Sequence, residues 1–146
     1  CRIYPLGRAA TKPDSQRDTR EKFFIVNEEH CLGFGENGKW TIEEWLTCEG
    51  VDEYNRMNDQ WLEILTSQKT LGPKKDRHRK IQMFSMASYN VDKFREFIFK
   101  SRFFERFEVD SGLKRKLASD DVELMRFAFD WLKFSLFGEK TIQIKS

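Results

Sequence analysis

Apolar positions along this chain change period several times, and each change predicts an element. The apolar run "KFFIV" (22–26) predicts a short strand, and "HCLGF" (30–34) a second after "NEE", together an N-terminal hairpin. Thr41 and Glu44 then spell a T-x-x-E capping box, with Trp40 and Trp45 placed as a hydrophobic staple, so a helix begins near Ile42 and ends by Gly50. Val51, Tyr54, Met57, Trp61, Leu62 and Leu65 form one stripe of a helix over 51–66, while Asp52, Glu53, Asp59 and Glu63 face water. Gly72-Pro73 breaks the pattern and leaves 68–80 as a loop. "IQMFSMASY" (81–89) fits both the helical and the alternating period, with the helix preferred.

Asn90 caps a long helix over 91–108. Phe94, Phe97, Ile98 and Phe104 make its first apolar face, and Phe99, Phe103 and Phe107 a second patch. At about 100° per residue, Arg95, Arg102 and Arg106 stack between them. Ser111-Gly112 ends this element, and Ser119 with Asp120 and Asp121 caps a last helix. Val122, Met125, Phe129, Leu132 and Leu136 form one stripe of that helix; Leu124, Ala128 and Trp131 form another. A helix apolar over most of its girth is central, and Gly138 stops it. "KTIQIK" (140–145) alternates and predicts a C-terminal strand beside the N-terminal hairpin.

The fold class is therefore α+β and α-rich, with four or five helices packed on a small antiparallel sheet made of the N-terminal hairpin plus the C-terminal strand. Residues 1–21 hold two of the three prolines and few large apolar side chains, and read as a flexible arm or linker. Residues 22–146 read as a single globular domain, which the length allows. No run approaches the roughly 18 apolar residues of a membrane span.

Net charge is only +2, but its layout is uneven. Residues 28–63 carry ten acidic and two basic side chains, and residues 69–80 six basic and one acidic. Such blocks repel one partner class and attract another. Cys31 and Cys48 read as small hydrophobes in a reducing, cytoplasmic setting. Cys1 leaves a minor alternative, a lipoprotein anchored through that residue.

"LGFGENGKWT" (32–41) contains G-x-G-x-x-G and G-x-x-x-x-G-K, both patterns of phosphate loops. The spacing argues against either. A dinucleotide loop opens its helix near the second glycine, whereas the capping box starts the helix past all three. A P-loop needs Ser or Thr after the lysine, and Trp40 stands there. Asn37-Gly38 instead predicts a tight turn. His30 and Cys31 are adjacent on a strand, point to opposite faces and cannot pair as base and nucleophile. No spacing implies a metal or other cofactor.

Two surfaces remain. Arg95, Phe99, Arg102, Phe103, Arg106 and Phe107 combine apolar area with an arginine rim, the composition of a protein interface or self-association surface; the acidic stretch 43–63 adds a charge-steered second one. Lys69, Lys74, Lys75, Arg77, Arg79 and Lys80 on a Gly-Pro loop suit phosphates, and so nucleic acid. The expectation is a non-enzymatic module that binds a protein, with nucleic-acid binding as the alternative and an enzyme with an unrecognised site as the third reading.

Overall fold

The computed structural model of the chain describes residues 2–11 and 19–145. It divides into two compact units, Cys1–Ser67 and Gln68–Ser146. Seven α-helices and one two-stranded antiparallel sheet are present among the described residues, so the α-rich α+β class holds. The helix count is higher than expected and the C-terminal strand does not join the hairpin. No helix among the described residues is long and apolar enough to cross a membrane.

In the N-terminal unit Leu6–Thr11 (β1) pairs with Arg20–Ile25 (β2), with Leu6 opposite Ile25 and Thr11 opposite Arg20. β1 falls within the stretch expected to be an arm. Its apolar content is low; pairing and a charged clamp order it instead. Gly7 faces Phe24 across the ladder, and a Cβ there would fall 2.4 Å from two ring carbons, so only glycine lets the ring lie on the strand. Arg8 reaches Glu21 at 2.7 Å and Asp59 at 2.8 Å. Residues 12–18 of the expected arm lie outside the described residues, as does Cys1 with its alternative of a lipid anchor.

"HCLGF" is not a strand. Leu32–Gly35 forms a short 3₁₀ turn, closed by Glu36 N–H donating to the Gly33 carbonyl at 3.2 Å. Gly33 within the run and Gly35 just after it give a strand too little to pack. The Asn37-Gly38 turn is absent as well: among the described residues positive φ is confined to Gly50, Gly72 and Gly138. Helix α1 (Ile42–Cys48) starts where the capping box placed it, with both reciprocal bonds formed. Trp40 and Trp45 meet edge to face at 5.6 Å. Gly50, at φ 61°, separates α1 from α2 (Asp52–Leu65). Among the described residues of this unit Leu46, Val51 and Ile64 are the buried apolar side chains; Tyr54 and Leu65, placed on the inner stripe by periodicity, are exposed.

The C-terminal unit is helical: α3 (Lys74–Tyr89), α4 (Val91–Lys100), α5 (Phe103–Arg106), α6 (Ser111–Ser119) and α7 (Asp121–Phe137). α7 is its centre, packed on α3, α4 and α6. It buries Leu124, Phe127, Ala128, Phe129, Trp131, Leu132 and Leu136, an apolar girth as the sequence predicts. Phe94 and Ile98 of α4 and Leu117 of α6 are fully enclosed. Gly138, at φ 71°, ends α7 by donating to the Lys133 and Phe134 carbonyls.

Three expectations change here. The helix over 91–108 breaks at Ser101-Arg102 and restarts as α5. Ser111-Gly112 does not end an element; Asp110 caps α6 there by accepting from the Gly112 and Leu113 N–H groups, and Asp120 rather than Ser119 caps α7. "KTIQIK" pairs within its own unit: Phe107 bridges Ile144, Glu108 N–H donates to Gln143 O at 2.9 Å, and Lys145 N–H to Arg106 O at 2.9 Å. The backbone turns extended at Phe107, where α5 ends, and the groups around that point offer those bonds.

Candidate interaction surfaces

The hairpin and the 31–42 segment enclose a groove of about 710 Å³ in the N-terminal unit. Its walls come from Tyr4, Pro5 and Leu6, from Phe23, Phe24 and Ile25 of β2, from Cys31, Phe34, Glu36 and Trp40, and from Ile42 and Trp45 of α1. Local chemistry positions each part. The Gly7–Phe24 pairing lays one ring on the sheet. The capping box fixes the entry of α1, and the staple holds Trp40 against Trp45. Trp45 Nε1 donates to the Ile3 carbonyl at 3.1 Å, which ties α1 to the segment before β1.

Several of these apolar side chains are open to solvent: Phe24 by 53%, Ile25 by 65%, Phe34 by 44%, Trp40 by 59% and Ile42 by 44%. Polar groups are few. The Tyr4 hydroxyl is buried without a well-formed hydrogen bond. Its interaction with the Cys31 thiol comes first, then burial, then the charges on Cys31 and Glu28, and together they push its pKa up to about 12. The glycines of the phosphate-like motif contribute the 3₁₀ turn and part of the wall. At the start of α1 the Glu44 N–H donates to the Thr41 hydroxyl and the Thr41 N–H donates to the Glu44 carboxylate. Glu28, Glu29, Glu36, Glu43 and Glu44 are all exposed along this segment, against Lys39 as its one lysine. Among the described residues no three His, Cys, Asp or Glu side chains come together as a metal site requires.

The structure takes apart the aromatic–arginine patch expected on one long helix. Because the helix restarts at Phe103, residues 103 and 107 change phase and turn inward: Phe103 and Phe107 are buried, their ring centroids 4.6 Å apart, with Phe103 also against Phe127 and Trp131. Phe99 is at the surface against Phe104, centroids 5.2 Å apart. Arg95 bonds Asp92 at 2.9 Å, Asp121, and the Leu117 carbonyl at 3.4 Å, joining α4 to α6 and α7. Arg102 is exposed, 3.7 Å from Glu105. Arg106 is exposed too, at a separate cavity that Asp76 and Arg79 also line.

The basic run is only partly free. Lys69 pairs with Glu139 at 2.7 Å, and Lys80 donates to the Leu136 carbonyl at 2.9 Å. Lys74, Lys75, Arg77 and Arg79 are exposed, on the first turns of α3 rather than on a loop. Pro73 precedes that helix instead of interrupting it, consistent with the preference of proline for helix starts. Arg79, Gln82, Tyr89 and Lys93 line a shallow depression, with Tyr89 68% exposed. Sequence reasoning missed the groove altogether. Its one advance signal was "KFFIV" facing a glycine-bearing partner, and that partner lay in a segment read as linker. No family model, curated protein or solved structure matches the chain.

Proposed function

We propose that the chain is a non-enzymatic interaction module that binds a protein through the N-terminal groove. The observation that carries this reading is the set of apolar side chains left in water around one concave surface: Phe24, Ile25, Phe34, Trp40 and Ile42. Each Å² of apolar area removed from water is worth roughly 25 cal/mol, and contiguous patches of this kind mark association surfaces. Trp40 and Phe34 are suitable anchors, large and partly held before a partner arrives. The test is display of random protein fragments panned on the full chain, followed by anisotropy titration of the survivors against wild type and Trp40→Asp. Fragments that lose at least tenfold in affinity support the reading. Fragments indifferent to Trp40→Asp and Ile25→Lys overturn it.

A second reading, single-stranded nucleic acid, has one observation in its favour. Lys74, Lys75, Arg77 and Arg79 are exposed on α3 and form no ion pair among the described residues, and Tyr89 offers a stacking face near Arg79 and Lys93. Oligonucleotide binding that falls steeply with salt and disappears on charge reversal at Lys74, Lys75 and Arg77 would establish it.

A further inference from the structure

We infer that the occupant of the groove is an extended peptide segment that adds to the free edge of β2, apolar at alternate positions and basic at its flanks; this rests on the protein-binding reading above. The ladder supplies the first argument. Val26 N–H donates to the Pro5 carbonyl at 2.8 Å. In an antiparallel pair bonded and non-bonded positions alternate, so Phe24 and Lys22 bond Gly7 and Ala9 while Glu21, Phe23 and Ile25 direct their N–H and C=O groups away from β1. The sheet has two strands among the described residues, so that edge is unpaired. Unpaired edges are templates for a further strand.

The groove reaches this edge. It touches Phe23, Phe24 and Ile25 in succession but only Leu6 of β1. Successive side chains of a strand point to opposite faces, so a groove in contact with all three rounds the side of β2 rather than lying on one face. A strand docked there places alternate side chains toward Phe34, Trp40 and Ile42. A helix would satisfy its own backbone and leave the outward groups of Phe23 and Ile25 unmatched.

Charge selects the flanks. Glu36 is in the wall, and exposed Glu28, Glu29, Glu43 and Glu44 border the segment. Residues 1–67 carry thirteen acidic and eight basic side chains, so a second copy presenting the same edge meets like charge, as does a phosphate backbone.

The experiment is panning of unbiased twelve-residue peptides on the full chain, with anisotropy and amide exchange by NMR on the enriched sequences. Alternating apolar residues flanked by Lys or Arg are expected. Glu36→Lys with Glu43→Lys should weaken them at least fivefold, and N-methylation of the amides that face β2 at least tenfold, with methylation of the other amides tolerated. Binding should slow exchange at the Phe23 and Ile25 amides and leave the Phe24 amide unchanged. Circular dichroism and exchange in the α2 amides confirm that the variants fold. Enriched peptides that are acidic, or helical in spacing, yet lost with Ile25→Lys overturn the inference and leave the protein-binding reading intact. Peptides unaffected by Ile25→Lys and Trp40→Asp overturn both. Self-association in sedimentation that Trp40→Asp abolishes would assign the groove to a second copy and overturn the inference.

Discussion

The two units spend their apolar residues differently. Among the described residues, fourteen of the buried apolar side chains belong to the C-terminal unit and three to the N-terminal one. Of the large apolar side chains left exposed among the described residues, five belong to the C-terminal unit and eight to the N-terminal. The C-terminal unit holds itself together by burial around α7. The N-terminal unit relies on a strand pairing, an arginine clamp and a capping box, and keeps its aromatic surface open. The charges diverge as well: residues 68–146 carry eighteen basic and eleven acidic side chains, the reverse of the acidic excess in 1–67. A self-sufficient core and an under-filled one in the same chain suggest that the second is completed by what it binds.

The largest effect should come from the buried aromatics. Phe94 is fully enclosed and stacks near Trp131 at 5.2 Å. Phe94→Ala should cost about 3–5 kcal/mol, whereas Phe34→Ala, on an exposed ring, should stay within about 0.5 kcal/mol. Urea titration followed by circular dichroism measures both. Similar losses at the two sites would break the contrast. Phe103→Asp should likewise unfold the C-terminal unit rather than remove a partner cleanly, because Phe103 is 3% exposed. Segment-resolved amide exchange sharpens the comparison: α2 amides should open at lower free energy than those of α7.

The clamp is next. Arg8 is 11% exposed and bonded to Glu21 and Asp59, so it holds β2 and α2 to β1. Burial works against its charge, but the bonds to Asp59 and then Glu21 outweigh that and raise its pKa above the ordinary value. Arg8→Ala should cost about 1.5–3 kcal/mol, the range for hydrogen bonds to charged groups. The loss should show as faster exchange in 6–11 and 20–25, with the α7 amides unaffected.

What was legible in the sequence follows the same division. α7, its apolar girth and its Gly138 stop were readable because a buried helix states its period in every turn. The α1 start was readable because Thr41, Glu44 and two tryptophans encode it within six residues. β1 was not, since its order comes from partners distant in the chain: Phe24 over Gly7, and Asp59 on Arg8. The break at Ser101-Arg102 was hidden because neither residue forbids helix; packing of Phe103 and Phe107 against Trp131 and Phe134 competes with it. For this reason Phe103 and Phe107 of the patch assigned to that helix are buried, and the groove was missed because Tyr4, Pro5 and Leu6 of its wall were read as linker.

Local caps should give smaller changes, and they test whether the C-terminal unit depends on single contacts. The Asp120 carboxylate accepts from the Val122 and Glu123 N–H groups at 2.9 and 3.1 Å. Asp120→Ala should cost about 1 kcal/mol, and Gly138→Ala, at φ 71°, about 1–2 kcal/mol. Thermal melts should shift by only a few degrees, since the rest of the α7 packing persists. Collapse of the unit with either variant would show that its core is less self-sufficient than its burial implies.

The smallest effects are in pH, and they should separate the units by which residues respond. The Thr41 backbone N–H donates to Glu44 Oε2 at 2.8 Å and its hydroxyl at 2.9 Å, and these bonds, in that order, hold the Glu44 carboxyl below the usual glutamate range. A carboxyl depressed by folding stabilises the fold above its unfolded pKa, and that contribution disappears as pH falls through its folded value. Tyr4 acts at the other end. Its pKa of about 12 lies above the ordinary 10.0, so the neutral phenol suits the fold, and stability should fall as pH rises from about 10 through about 12. Amide exchange in α1 should therefore accelerate on the acid side, and in β1 on the alkaline side after correction for the intrinsic rate. Glu44→Gln, which removes the titrating carboxyl, should abolish the first response and Tyr4→Phe the second. If α1 in Glu44→Gln kept the acid sensitivity of wild type, the capping box would not be what fixes the wall of the groove, and the placement of Trp40 would have to come from its contact with Trp45 alone.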